Sequence, residues 1–336
     1  MILTLSLGER LSMQLSLRFI VINIILVTGC QESSIEPINL SNSPGDLEIF
    51  SRNFISTSLN ERDIAILSSG NEIIYTLGNY DQTLRCLVEI RFDNGRWGDK
   101  TILSFSGLHN DIEPFYSPDG SKLFFATDRP IDDKSERHDY NIWVSERNKM
   151  EWGVPIPLPE HINTENDNFY PAVSQNGNLY FTATRDNGVG REDIFLSRYI
   201  NGTYQDPEPL DTMVNTPNFE FNAYINPDEN LLIFSSFGRE DGYGGGDLYY
   251  STKNEIGQWS KSKNMGNKIN SDKLDYCPFV DIPRNNFYFT SNRSQPLNKK
   301  INTIMEFNNQ ANGIINGMGN IYRISFSESG ILKTGE

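Results

Sequence analysis

Apolar residues along this chain come in short runs bounded by turn residues, with no sustained helical spacing. Leu123-Phe124-Phe125-Ala126-Thr127 is typical, and its aromatic content suits a strand. It follows Pro114-Phe115-Tyr116-Ser117 and the turn Pro118-Asp119-Gly120, where Pro presets φ and Gly accepts φ > 0. The pattern predicts a hairpin of strands a and b. Asn141-Ile142-Trp143-Val144-Ser145 then predicts strand c, and Trp152 opens a strand d that ends at Pro157-Leu158.

The order recurs. Strand c returns as Asp193–Ser197, Asp247–Ser251 and Asn320–Ile324, and aromatic openings of strand d return as Trp97, Tyr204 and Trp259. The a–b turn returns as Ser174-Gln175-Asn176-Gly177 and Asn226-Pro227-Asp228-Glu229. Between units stands a short motif: an apolar residue, any residue, Thr or Ser, and four positions later an acid or amide. It reads Ile55-Ser56-Thr57 with Glu61, Ile162-Asn163-Thr164 with Asn168, Val214-Asn215-Thr216 with Glu220, and Ile269-Asn270-Ser271 with Asp275. Phe105-Ser106-Gly107 with Asp111 is a degenerate copy, and the final positions are spaced by 50, 57, 52 and 55 residues.

Four short strands per unit at such a period describe a β-propeller. The Gly and Pro spacing excludes stacked helical hairpins. The fifth unit stops after strand c, near Ser327, whereas Leu47–Thr57 has the register of a strand d and precedes the first strand a. The fold class is therefore all-β, with five four-stranded blades and the last closed by the N-terminal segment. Closure removes edges that would otherwise template aggregation. Cys86 and Cys277 read as free buried thiols, with a disulfide left open as the alternative.

Net charge changes the functional picture. At −15, with a sequence pI near 4.7, the chain lacks the Lys/Arg excess that phosphate neutralisation demands, which argues against nucleic acid. It equally disfavours adsorption of the folded domain on anionic lipid. Near the N-terminus, Arg18 precedes an apolar run from Phe19 to Val27, then Val27-Thr28-Gly29-Cys30. The run is too short to span a bilayer, which takes about 20 residues. The order resembles a bacterial lipobox, implying a signal peptide over 1–29, lipidation of Cys30 and membrane attachment by that lipid alone. Gln31, not Asp, follows the cysteine, which favours the outer membrane with a periplasmic or surface-facing domain. Residues 30–45, polar and rich in Ser, Asn and Pro, read as a flexible tether, leaving 46–336 as the propeller.

Tyr116-Ser117-Pro118-Asp119-Gly120 with Leu123–Arg129 resembles the WD40-like (PD40) repeat of bacterial TolB-like propellers, over about 46–330. Leu67-Ser68-Ser69-Gly70 and Asp281-Ile282-Pro283-Arg284 depart from the repeat's turn. The resemblance implies a propeller and an envelope setting. The N-terminal α/β domain of TolB has no counterpart here, and the usual TolB-like ring has six blades, which keeps six as the alternative count.

Residues present in every blade read as architecture, and residues peculiar to one blade read as candidates for function. By that rule the repeating Asp111, Glu220 and Asp275 are hydrogen-bond acceptors for the chain entering each blade, or alternatively an acid ring at the channel mouth. Arg129, Arg185, Arg239 and Arg293, which follow strand b, read as salt-bridge partners to a neighbouring blade, or else as binders of an anionic or sugar ligand. The b–c loops vary most: Pro130–Asp139, Arg239–Asp247 with its Gly242–Gly246 stretch, and the long insertion Ser294–Gly319. They are expected on the same face as the acid ring, making that face the expected binding surface. No Gly-x-Ser-x-Gly elbow or His-Glu-x-x-His helix is present. His109, His138 and His161 have no ligand spacing, so no metal or cofactor is expected; Ca²⁺ on the Asp-rich loops is an alternative without EF-hand spacing.

Two functions of different class follow. The leading one is a non-enzymatic, envelope-tethered propeller binding a protein, peptide or glycan. The other is a carbohydrate-active enzyme using Asp111, Glu220 and Asp275. It is weakened because those acids belong to the repeat and no irregular acid stands out in an innermost strand. An accessory subunit of an envelope complex is a third reading.

Overall fold

The computed structural model describes residues 34–131 and 139–331. The chain divides into Met1–Ser34 and Ile35–Glu336; of the first unit only Ser34 is described, so the predicted signal segment and Cys30 lie outside the described residues.

The second unit is a propeller of five blades. Strand β1 (Glu48–Ile49) precedes blade one, which comprises β2 (Asn60–Ile66), β3 (Glu72–Gly78), β4 (Arg85–Asp93), β5 (Arg96–Trp97) and β6 (Thr101–Ile102). Blade two is β7 (Asp111–Tyr116), β8 (Lys122–Thr127), β9 (Asn141–Asn148), β10 (Glu151–Trp152) and β11 (Ile156–Pro157). Blade three is β12 (Asn168–Val173), β13 (Leu179–Ala183), β14 (Asp193–Ser197) and β17 (Glu208–Pro209), with a side hairpin of β15 (Tyr199–Ile200) and β16 (Thr203–Tyr204). Blade four is β18 (Phe219–Ile225), β19 (Leu231–Phe237), β20 (Asp247–Thr252) and β21 (Lys263–Asn264). Blade five is β22 (Asp275–Asp281), β23 (Asn286–Ser291) and β24 (Asn320–Ser325), completed by β1. Every pairing within a blade is antiparallel, so a–b and c–d turns share one end of the ring, and b–c loops and d–a connections share the other.

The a–b turns work because one residue of each takes the left-handed conformation. Gly70, Gly120 and Gly177 do so in blades one to three, at φ 75°, 69° and 82°. Blade four uses Glu229 instead, and blade five a 3₁₀ turn over Ile282–Arg284 ending on left-handed Asn285. The departing turn sequence in unit five thus reaches the same reversal by a tighter helix.

Ring closure follows the sequence. Glu48 pairs with Arg323 and Ile49 with Tyr322, and the Phe50 amide donates to the Ile321 carbonyl at 2.8 Å. Arg323 forms an ion pair with Glu48 and lies over the Phe50 ring, 4.9 Å from its centroid. The count is five blades, not six.

Two expectations are corrected, and one element is added. The outermost strand does not open at the aromatic residue. Trp97 and Trp152 pair back onto the end of strand c, opposite Phe92 and Arg147, and Trp259 bridges to Lys253. The true strand d lies a few residues on and is only two residues long, as in Thr101–Ile102 and Lys263–Asn264. The aromatics turn back because they cover cations and bury: Arg147 sits 4.0 Å from the Trp152 ring centroid and Lys253 4.6 Å from that of Trp259. The expected tether is also attached to the propeller from Glu36 onward. Ile38 and Leu40 join the apolar core between blades five and one, Arg323 donates to the Asn39 carbonyl at 2.6 Å, and the Ser325 amide donates to Pro44 at 2.7 Å. Finally, the unit-five insertion contains α1 (Ile304–Ala311), started by a capping box of Thr303 and Glu306.

Candidate functional site

The linking motif resolves into a clamp. Its apolar residues Ile55, Ile162, Val214 and Ile269 are fully buried. The middle residue prolongs the ladder of the preceding blade's strand c: Asn163 accepts from the Ile142 amide at 2.8 Å and donates to the carbonyls of Ile142 and Leu158. Asn215 repeats this on Ile194 and Leu210. A side-chain amide thereby does what a longer strand d would do, which is why strand d is so short. The Thr or Ser caps the acid four residues on, as Thr216 N and Oγ1 donate to Glu220 at 2.7 and 2.8 Å, and Ser271 N and Oγ to Asp275 at 2.6 and 2.7 Å.

The arginines complete the clamp within their own blade, not across blades. Arg129 binds Asp111, Arg239 binds Glu220 at 2.8 Å, and Arg293 binds Asp275 at 3.1 Å. Arg185 meets the neutral Asn168 at 3.3 Å. Each also donates to a carbonyl of the incoming connection, on Phe105, Ile162, Val214 and Ile269 respectively. Their other face stacks on aromatics of strands b and c, such as Phe234 and Tyr249 under Arg239. The neighbouring-blade partner expected from sequence is therefore the blade's own acid. Asp111, Glu220 and Asp275 have no exposed surface; Glu220 is held by hydrogen bonds on both oxygens, whereas Asp111, which lacks the Thr or Ser cap, keeps its Oδ2 buried without a hydrogen-bond partner.

Blade one lacks the arginine. Glu61 accepts from Thr57 N at 2.9 Å and from its hydroxyl, and Lys100 donates to the Phe54 carbonyl nearby. Burial without an arginine pushes the Glu61 carboxyl up to about 7.

Two residues past each ring acid, sequence reasoning missed a second set: Asp63, Glu113, Tyr170, Asn222 and Cys277. Each sits at a bulge of its innermost strand with φ between 47° and 60°. Their contacts cross the ring. Arg62 bridges Asp63 at 2.7 Å and Glu113 at 2.9 Å and reaches the Cys277 sulfur. Glu113 also accepts from the Tyr170 amide and from Asn222. Tyr170 spans the axis to donate to the Pro278 carbonyl at 3.1 Å. Asp63 and Glu113 are thus irregular innermost-strand acids, contrary to the expectation that none exists. Burial pushes Glu113 upward and Arg62 pulls it back; burial raises the Cys277 thiol well above its usual value. The cluster plugs the channel.

Below the plug, at the a–b end, the axis opens into a cavity of about 350 Å³ to which all five blades contribute, through Ile66, Phe115, Val173, Tyr224 and Phe279. Four residues past the ring acid stand Ala65, Phe115, Ala172, Tyr224 and Phe279; the three rings line the cavity, and the two alanines are buried in the cores between blades. Phe115 and Tyr224 have centroids 6.3 Å apart, Tyr224 and Phe279 5.9 Å. Gln175, Asp228 and Asp281 supply polar atoms to the wall, and burial raises the Asp281 carboxyl. A groove of about 490 Å³ between blades two and three, past Ile156, Tyr199 and Tyr204, shares Ser117, Pro118, Val173 and Gln175 with the cavity. The a–b end therefore carries two adjoining concavities.

The b–c face carries a smaller concavity, of about 230 Å³, at blade three beside Asn166, Asp167, Phe169 and Glu192. A side chain at Gly244 would meet the Asp272 backbone at 2.4 Å, so the glycine stretch serves close approach to the next connection. Gly190 does the same on Thr216 one blade earlier. Residues 132–138 of the unit-two loop, with His138, lie outside the described residues. Cys86 and Cys277 are both free and buried. Among the described residues no group of three or more His, Cys, Asp or Glu is placed to hold a metal ion, and no helix is long and apolar enough to cross a membrane.

No family model and no curated protein matches the chain. Among solved structures it is similar to a protein described as TolB from Agrobacterium tumefaciens, at 16% identity over 69% of each chain with a TM-score of 0.45. TolB from Acinetobacter baumannii is similar at 12% identity over 78% of this chain, which spans about half (54%) of that one, with a TM-score of 0.42. The endo-arabinase of Bacteroides thetaiotaomicron is similar at 15% identity over 84% of this chain and 99% of that one, with a TM-score of 0.48. At these identities the likeness concerns the fold alone.

Proposed function

We propose that this chain is a non-catalytic binding propeller of the bacterial envelope, held at the outer membrane by a lipid on Cys30, which receives a protein or peptide partner at its a–b end. The supporting observation is the axial cavity, built by all five blades and continuous with the groove between blades two and three. The repeated acids and arginines, by contrast, are committed to clamps. A cavity with aromatic walls and a few polar atoms is the usual form of a ligand seat. The lipobox-like Val27–Cys30 and the TolB-like repeat support the envelope setting. On this reading the partner sits on the face opposite the b–c loops.

Affinity capture from detergent-solubilised envelopes tests this reading. A cavity variant, Phe115→Glu with Phe279→Glu, should lose a partner that the wild type retains, and a variant lacking 296–315 should keep it. Loss only on deleting the insertion would move the site to the b–c face.

One observation favours a second reading, a glycoside hydrolase. Asp63 and Glu113 are acids on the axis, where a carboxylate pair could act on a sugar. Arg62 stands between them, and neither lines the cavity or the groove. Turnover of a glycan panel by wild type, abolished in Glu113→Gln, would establish that reading.

A further inference from the structure

Every blade from two to five covers its aromatic faces with its own cation. Arg129 lies over Phe125 and Trp143, Arg185 over Phe181 and Phe195, Arg293 over Phe289 and Tyr322. The axial cavity breaks this habit. Among the described residues no Lys or Arg lies over Phe115, Tyr224 or Phe279, and none lines the cavity. Phe115 and Phe279 are only partly buried, so their rings remain open to an occupant. The wall carries carboxylates instead. Asp228 is exposed at the rim, and Asp281 is 3% exposed with Arg284 on its Oδ1 at 2.6 Å. The Asp281 Oδ2 is buried and has no hydrogen-bond partner. The chain as a whole carries a net charge of −15.

From these we propose that the axial cavity binds an organic ammonium group, seated among the rings of Phe115, Tyr224 and Phe279 and attracted by Asp228 and Asp281. The partly open rings of Phe115 and Phe279, flanking Tyr224 and without a resident cation, attract one through their quadrupoles, and an ammonium bearing methyl groups also fills apolar volume that a hydrated metal ion would not. The volume of about 350 Å³ admits a substituted ammonium with a short tail, or a lysine-type side chain entering from the adjoining groove. The bound chemistry is the same whether the ammonium is a free molecule or belongs to a polypeptide.

The inference rests on the a–b end being the binding face, and the test separates the two. Calorimetric titration of the full chain in a non-ionic detergent would use choline, its neutral isostere 3,3-dimethylbutan-1-ol, and a peptide carrying trimethyllysine. Choline or the peptide should bind about tenfold or more tightly than the isostere, the scale of a desolvated cation–π contact. Binding of choline identifies a free ammonium, and binding of the peptide alone a polypeptide side chain. Phe115→Leu with Phe279→Leu keeps apolar volume and folding, and should abolish the preference for the cation while leaving isostere affinity within about twofold. Equal binding of cation and isostere, no binding of either ammonium, or an unchanged preference in the leucine variant overturns the proposal. The same variant in envelope capture reads the underlying face: a partner lost without any ammonium preference refutes the ligand chemistry alone, and a partner still held by the Phe115→Glu/Phe279→Glu variant refutes the seat.

Discussion

At the residue scale, most tempting side chains of this chain are spent on holding blades to the connections between them. The clamp makes an unequal demand on its four arginines. Removing Arg239 strands a buried carboxylate, Glu220, whereas removing Arg185 leaves only carbonyls and the neutral Asn168 without a donor. Breaking a buried ion pair from one side costs about 3–5 kcal/mol, and a lost neutral hydrogen bond about 1–3. Arg239→Ala should therefore lower stability in denaturant unfolding clearly more than Arg185→Ala; equal losses would mean the ion pair contributes nothing specific. Glu61 gives a pH signature. Its folded pKa, about 7, lies above its usual 4.5, so the stability tied to its protonated form is complete below 4.5 and is lost as pH rises through 7. Glu61→Gln, which places at blade one the amide that Asn168 provides at blade three, should flatten the fall in melting temperature between pH 5 and 8. An unchanged pH slope would show that Glu61 is ionised at little cost.

At the element scale, ring closure depends on a strand of two residues. Glu48–Ile49 covers the edge of Asn320–Ser325 and is anchored by Phe50 and by the packed segment around Ile38 and Leu40. Deleting Glu48–Thr57 should lower the melting temperature by well over 5 °C and promote aggregation through the bared edge, measured by scanning calorimetry and light scattering. The insertion 296–315 carries α1, none of whose residues is buried, but ends on Ile314 and Ile315, which pack against the core, so its removal should lower the melting temperature by less than the deletion of Glu48–Thr57 does. The propeller and its closure were legible because the clamp motif and the a–b turn recur with fixed chemistry. The outermost strands were not. Two residues including proline, as in Ile156–Pro157 and Glu208–Pro209, carry no alternation, and the aromatic ahead of them marks a hairpin tip instead.

At the scale of the whole molecule, the five innermost strands build two layers on one axis. Both layers escaped the sequence for a physical reason. The plug uses a different residue in each blade, Asp63, Glu113, Tyr170, Asn222 and Cys277, and is unified by a positive φ that side-chain identity does not announce. The cavity is lined by one different apolar residue from each blade, Ile66, Phe115, Val173, Tyr224 and Phe279, a set that means nothing until the strands stand side by side. Under the proposed function, the positions that matter where the repeat varies lie along the axis at the a–b end instead of in the b–c loops.

The central claim is that the a–b end is the working face, and hydrogen exchange read by mass spectrometry tests it most directly. The full chain would be compared alone and in complex with the partner it retains from solubilised envelopes. Slowed exchange is expected in the a–b turns at residues 117–121, 174–178, 226–230 and 281–285, with 239–246 and 294–319 unchanged. Protection confined to 239–246 and 294–319 would contradict it.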